Sequence, residues 1–303
     1  MRHIIAAVAS VLVLAACDVV NIDPNNKYDT EYGFRNSKNT ELYLNSFYPM
    51  IYDFGQFGKN ALGGSNSNMS DGLTDILKYG GIVAGSGDCN MIMTVDGQQS
   101  VTNNYFDTWT TCYGWIRRVN EYLSGLDKYK SNFTDEQYRR CRGEALFFRA
   151  YAYFLIMRCH ASVKDDLGAV LYRNIDEMGP SGKNRARSSV SDCWSLIYDD
   201  ISYATDNLPV PASAAGRVNC YVAYALEARA MLYAGRYDKA KAAVEKIRAS
   251  GLYGYMDDYA SIFKSLDNKE VIWGYGFVSG ALTHSFDKSY SQPGDICKSG
   301  SYG

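Results

Sequence analysis

Apolar positions recur most regularly between Thr134 and Tyr172, and the rest of the chain is read around that stretch. Thr134 followed by Gln137 has the form of a capping box, the hydroxyl taking an orphan amide and the glutamine reaching back. Tyr138, Cys141, Ala145, Phe148, Ala152, Leu155 and Cys159 then follow at spacings of three and four, the stripe of a helix laid against other helices. From Ala145 to Met157 the opposite face is apolar too (Leu146, Tyr153, Ile156), which predicts burial nearly all round. Arg149 lies inside that run. A buried guanidinium needs a carboxylate, and Glu144 or an acid on a neighbouring helix such as Glu227 would serve.

The same period predicts helices on both sides. Thr40 to Ile51 carries a short helical pattern, and Thr102 to Leu126 places Trp109, Tyr113, Ile116, Asn120 and Leu123 on one face. Ser189 with Asp192 caps a helix that runs to Leu208 and stops at Pro209. Val218 to Gly251 reads as helix, turn at Gly235-Arg236-Tyr237, helix and terminating glycine. Its length of about 34 residues, with small residues on the facing sides, fits a tetratricopeptide (TPR) unit over 218–251. The pairs 102–126 with 135–159, and 190–208 with 218–234, predict a stack of such hairpins. At Glu270 to Val278 the pattern changes, and Val271, Ile272, Trp273, Tyr275 and Phe277 predict a strand with Trp273 in the core. The expected fold class is therefore mainly α, a helical hairpin stack with irregular loops and a little β.

Three stretches lack a clear period. Residues 18–35 are polar and read as a tether. Phe54 to Gln99 is rich in glycine, serine and asparagine, with turn signals at Gly63-Gly64, Gly80-Gly81 and Gly85-Ser86-Gly87. A loop region of that length is usually functional or disordered. Residues 160–188 are irregular, and the basic cluster Lys183, Arg185 and Arg187 within and beyond Gly182 reads as a solvated loop.

The N-terminus adds an address. Arg2 supplies a positive start, and the apolar core Ile4 to Leu14 is too short to span a bilayer. Leu14-Ala15-Ala16-Cys17 resembles the lipobox of bacterial lipoproteins, which predicts a signal peptide over 1–16 and a lipid on Cys17. No other stretch is long and apolar enough to cross a membrane, so the expected protein is anchored and does not span. The expected organisation is a 17–35 tether, a helical domain over 36–278 and an incomplete C-terminal region over 279–303.

Charge and cysteines narrow the chemistry. The 33 acids nearly balance the 31 bases, so no field attracts nucleic acid. Beyond Cys17 the cysteines are 89, 112, 141, 159, 193, 220 and 297, an odd number with no CxxC. Several fall on helical core stripes, where cysteine behaves as a small hydrophobe, and Cys141 and Cys159 are too far apart on one helix to bond.

Several segments taken in order resemble the SusD/RagB family of Bacteroidetes surface lipoproteins. Glu144-Ala-Leu-Phe-Phe-Arg-Ala-Tyr-Ala-Tyr-Phe154 resembles the family's EAxFxRAYxYF helix, and Trp109…Tyr113…Ile116-Arg117-Arg118-Val119-Asn120 its upstream helix. Ala223 to Ala240 is similar to its AxxAxxALxARxxLYxGxYxxA repeat, and Gly251…Tyr253…Asp258-Tyr259…Phe263…Asn268-Lys-Glu270-Val-Ile272 to the segment after it. The resemblance departs at Gly168-Ala169-Val170-Leu171, where the family often has a proline, and covers about residues 17–278. It implies a glycan- or nutrient-binding lipoprotein on the outer membrane, not an enzyme and without a cofactor. The implied partner is a SusC-type TonB-dependent transporter, which it serves in oligosaccharide uptake.

Two other functions are open to the residues. One is a TPR scaffold that binds only protein. The other is a surface glycosidase using acid pairs such as Asp165-Asp166, Asp199-Asp200 or Asp257-Asp258, although adjacent acids are usually solvated. His160 and His284 have no metal-ligand spacing, and no nucleophile, phosphate-loop or dinucleotide motif is present. Candidate sugar contacts come from the loose region, since recognition sits on loops held by a rigid scaffold. Asn66, Asn68 and Asp71 offer amide and carboxylate partners for hydroxyls, and Tyr79 a ring face.

Overall fold

A computed structural model describes residues 30–54, 108–182, 184–211, 216–264 and 268–274. The described α-helices are α1 (Thr30–Phe34), α2 (Ser37–Asn45), α3 (Pro49–Phe54), α4 (Trp109–Lys128), α5 (Asp135–His160), α6 (Val190–Asn207), α7 (Cys220–Tyr233) and α8 (Tyr237–Ala249). Each of the last five packs on its neighbours in chain order, α4 on α5, α5 on α6, α6 on α7 and α7 on α8. The result is the expected stack of antiparallel hairpins.

α5 is the hub because its sequence gives it no polar side to spend on water. Between Ala145 and Met157 every residue but Tyr151 is buried, Arg149 included. Its start carries the full capping box: Thr134 accepts from the Gln137 amide and the Gln137 side chain accepts from the Thr134 amide. Ser189 caps α6 by accepting from the Asp192 amide, and Leu208 ends it one residue before Pro209. The turn between α7 and α8 needs Gly235 at φ +69, a left-handed backbone that a side chain would strain.

Aromatic rings fill the end of the stack built by α1, α2, α4 and α5. Phe34, Tyr43, Phe47 and Tyr122 meet there edge to face or tilted, and Tyr48 sets its edge on Phe148. Phe34 reaches this cluster across Gly125, where a Cβ would run into its ring. Of the stretch read as a tether, Thr30–Phe34 is helical and its Phe34 is buried in the fold, while residues 17–29 lie outside the described residues.

The predicted strand does not form at residues 270–274, where the backbone turns and then runs irregularly; 275–278 lie outside the described residues. Local bonds compete for its backbone. Asn268 accepts from the Glu270 amide with its side chain and from the Val271 amide with its carbonyl, and the Glu270 carboxylate takes the Met256 amide. Among the described residues the β structure is one isolated bridge, Ser162 with Leu167. Trp273 still packs against the core, setting its ring on Tyr48 and Phe147 while its indole N–H donates to the Gly216 carbonyl.

Four of the five described cysteines take apolar positions. Cys112, Cys141, Cys193 and Cys220 are buried thiols and Cys159 is an exposed one; none is in a disulfide.

Candidate functional site

Cys17 and the sugar-contact candidates Asn66, Asn68, Asp71 and Tyr79 lie outside the described residues, as do Lys183 and His284. What the structure shows is how the scaffold holds the chain on either side of residues 55–107, which lie outside the described residues. On the entry side Met50 is fully buried and Tyr48 is tied into a charged knot. On the exit side Thr108 is fully buried with its hydroxyl 2.9 Å from His160 Nε2. Trp109 sets its edge on that imidazole, and the Arg187 guanidinium lies over the indole.

The knot at Tyr48 is centred on Glu144, a buried carboxylate of α5. Its oxygens accept from the Tyr48 hydroxyl and from Arg217 Nε at 3.1 Å, and Arg140 stands 3.7 Å away. Tyr48 in turn accepts from the Val218 amide, and Arg217 Nη1 donates to Asn45. Residues from 45 to 48, 140 to 144 and 217 to 218 are thus bound into one cluster. Burial pushes the Glu144 carboxyl above the ordinary glutamate range, while Arg217 and the Tyr48 hydrogen bond pull it back.

A second knot sits deeper on the same helix. Arg149 holds Asp200 of α6 with two parallel bonds of 2.7 Å, from Nε and Nη2. Its Nη1 donates to Asn120 of α4 and to the Arg173 carbonyl at 2.6 Å. Asn120 passes its own N–H to the Tyr172 carbonyl. One guanidinium therefore ties three helices and the irregular segment after α5. The partner is an acid on a neighbouring helix, as expected, but it is Asp200 rather than Glu227, and Glu144 is taken by Arg217 instead. Asp200 is likewise no solvated acid of a catalytic pair, since both its oxygens are occupied by Arg149.

Of the basic cluster, Lys183 lies outside the described residues and Arg185 is exposed as expected, but both described arginines also bind the backbone. Arg187 donates to the carbonyls of His160, Leu167 and Gly168, and Arg185 to Leu171 and to the Glu177 carboxylate. These side chains close the irregular segment 161–188 by taking carbonyls that no helix or strand uses.

Glu227 has a different setting. It is buried on α7, and burial raises its carboxyl above the usual range, with Lys239 opposing and Asp206 reinforcing. A carboxyl raised in the fold gives its full stability below the ordinary glutamate value of about 4.3 and loses it as pH rises through the folded value. Glu227→Gln is therefore expected to stabilise the protein at about pH 8 and much less at about pH 5. Urea midpoints at the two pH values check it, and a gain that is the same at both would contradict it.

The comparisons agree with this architecture. The pattern of a SusD-like family, described as starch-binding and associating with outer membrane, matches residues 64–232. The chain belongs to the SusD-like family. Solved SusD-like structures share the fold. A SusD-like carbohydrate binding protein from Bacteroides vulgatus has 23% identity and a TM-score of 0.59, with 80% of this chain and 51% of that chain covered. A SusD superfamily protein from Bacteroides fragilis has 24% identity and a TM-score of 0.58, covering 77% and 53%. A laminarin binding SusD-like protein has 18% identity and a TM-score of 0.57, covering 78% and 50%. The chain spans about half the length of these SusD-like structures. No curated protein matches it.

Proposed function

We propose that this SusD-like chain is a lipid-anchored glycan- or nutrient-binding protein of the bacterial outer membrane, exposed at the cell surface. It acts with a SusC-type TonB-dependent transporter in oligosaccharide uptake. The observation that carries the reading is the family match over 64–232, which takes in Asn66, Asn68, Asp71 and Tyr79. In this reading Asn66, Asn68 and Asp71 meet sugar hydroxyls and Tyr79 stacks on a ring, while the hairpin stack faces protein. The chain makes no covalent change to the ligand and uses no cofactor. Glu144 and Asp200, the two buried acids of α5 and α6, are held in ion pairs by arginines, which supports binding over hydrolysis.

Anchoring is tested at Cys17. Cys17→Ala is expected to move the protein from the membrane fraction to the soluble one and to abolish labelling by a radioactive fatty acid. Equal retention of both forms would end the lipoprotein reading. Ligand binding is tested on a glycan array with the Cys17→Ala protein. One or more oligosaccharides should be retained, and Tyr79→Ala should lose them while its helical circular dichroism is unchanged. Retention of the same glycans by Tyr79→Ala would remove that residue from the site.

A further inference from the structure

Glu144 is 1% exposed, and every described group that reaches its carboxylate is a donor. The Tyr48 hydroxyl donates to Oε1 and Arg217 Nε to Oε2 at 3.1 Å, with Arg140 Nη1 behind at 3.7 Å. The Tyr48 oxygen is already taken by the Val218 amide at 3.0 Å, and a guanidinium has no acceptor at all. The pocket therefore has a place for the ionised carboxylate and none for its proton. On Oε2 the acid hydrogen would face the Arg217 N–H, and on Oε1 it would strand the hydrogen of Tyr48.

Burial works the other way. Loss of hydration favours the neutral acid, and it holds the carboxyl above the ordinary glutamate range even with these donors around it. Two more titratable groups stand near, Cys141 of α5 and Tyr122 of α4; burial pushes both up, so both stay neutral. The remaining charge is Glu41 of α2, and it gives Arg217 a second seat. Glu41 pairs with Arg140 and stands 3.9 Å from Arg217 Nη1.

We propose that Glu144 is an acid-sensitive latch: when its carboxylate takes up a proton from solvent, Arg217 leaves it for Glu41. The lead into α7 is then freed from α5 and stays tied to α2. After release Glu144 is still inside the core but has lost its nearest cation, so it holds the proton more tightly than before. Acid therefore drives release. The same group does not weaken the fold in acid. Its folded value is raised, so its contribution against unfolding is present below about 4.3 and is lost as pH rises through the folded value. A third segment is joined to the latch. Trp273, from the stretch after α8, sets its ring on Tyr48 and donates to the Gly216 carbonyl, one residue before Arg217. The proposal does not rest on the glycan reading, because every group in it belongs to the scaffold.

Hydrogen exchange of the full chain, read by mass spectrometry, follows the latch. Peptides covering 216–222 hold the Val218 amide, and a peptide from 146–157 of the buried hub helix serves as the internal reference. Their ratio cancels the chemical pH dependence of exchange. From about pH 7.5 to about pH 4.5 residues 216–222 should lose relative protection, by up to about tenfold per pH unit. Glu144→Gln puts amide hydrogens where the proton would sit, so it should be released at both ends of that range. Glu41→Gln keeps the latch closed at about pH 7.5 but removes the second seat, which should move the loss to lower pH. Constant relative protection in the wild type would overturn the proposal. So would the same pH-dependent loss in Glu144→Gln, or a midpoint that Glu41→Gln does not move.

Discussion

Arg149→Leu is expected to lower stability by about 3–5 kcal/mol, because it keeps the bulk of the side chain and strands Asp200 in the core. Asp200 is buried to 5% exposure, so water cannot replace the lost fork. Two further acceptors, Asn120 Oδ1 and the Arg173 carbonyl, lose their donor at the same time. In the wild type, burial already pushes the Asp200 carboxyl above the ordinary aspartate range and Arg149 pulls it back. Without Arg149 only the upward push remains. The variant should therefore recover stability as pH falls, since a raised folded value favours the protonated form. Asp200→Leu in the Arg149→Leu background should restore much of the loss, as buried ion pairs often exchange for apolar groups at little cost. Urea unfolding of the single and double variants reads all three expectations. A single variant with a wild-type midpoint would mean that the fork does not hold the three helices together.

Arg217→Met is expected to cost about 2–3 kcal/mol, less than Arg149→Leu because about a third of the Arg217 side chain meets solvent. The loss has a particular place. Arg217 ties the lead into α7 to Glu144 of α5 and to Asn45 of α2, and Tyr48 shares the same carboxylate. Removing it leaves Glu144 with Tyr48 and the more distant Arg140, in a pocket that already raises its carboxyl. Amide exchange should accelerate most in residues 37–51, which pack on α5 through this knot, and least in α6 to α8. Uniform acceleration along the chain would show that the knot has no local role.

The helices were legible because their signals are local. The capping box at Thr134, the Ser189 cap, the three-four stripes and the glycine turn at Gly235 each depend on residues within a few positions of one another. Partners of buried charges were not legible in that way, because they are set by which helices meet. Asp200 nevertheless carried a sign: with Cys193, Ile197 and Ala204 it falls on the buried stripe of α6, so its place was inside rather than in water. Arg185 and Arg187 carried none, since a basic loop looks the same whether its guanidiniums meet solvent or backbone carbonyls. Of the strand expected at 270–278, the described part 270–274 does not form, for a related reason. An alternating apolar run needs a neighbouring strand, and here Asn268 and Glu270 supply local partners instead. The sugar-contact candidates come from residue type and their place in a glycine-, serine- and asparagine-rich stretch, and they lie outside the described residues.

Calorimetric titration of the glycans retained on the array, into the Cys17→Ala protein alone and then with the neighbouring TonB-dependent transporter, tests the central claim most directly. The account predicts saturable binding that depends on Tyr79 and tightens or persists when the transporter is present. Association with the transporter but no glycan binding in either state would contradict it, and would leave a helical scaffold that binds only protein.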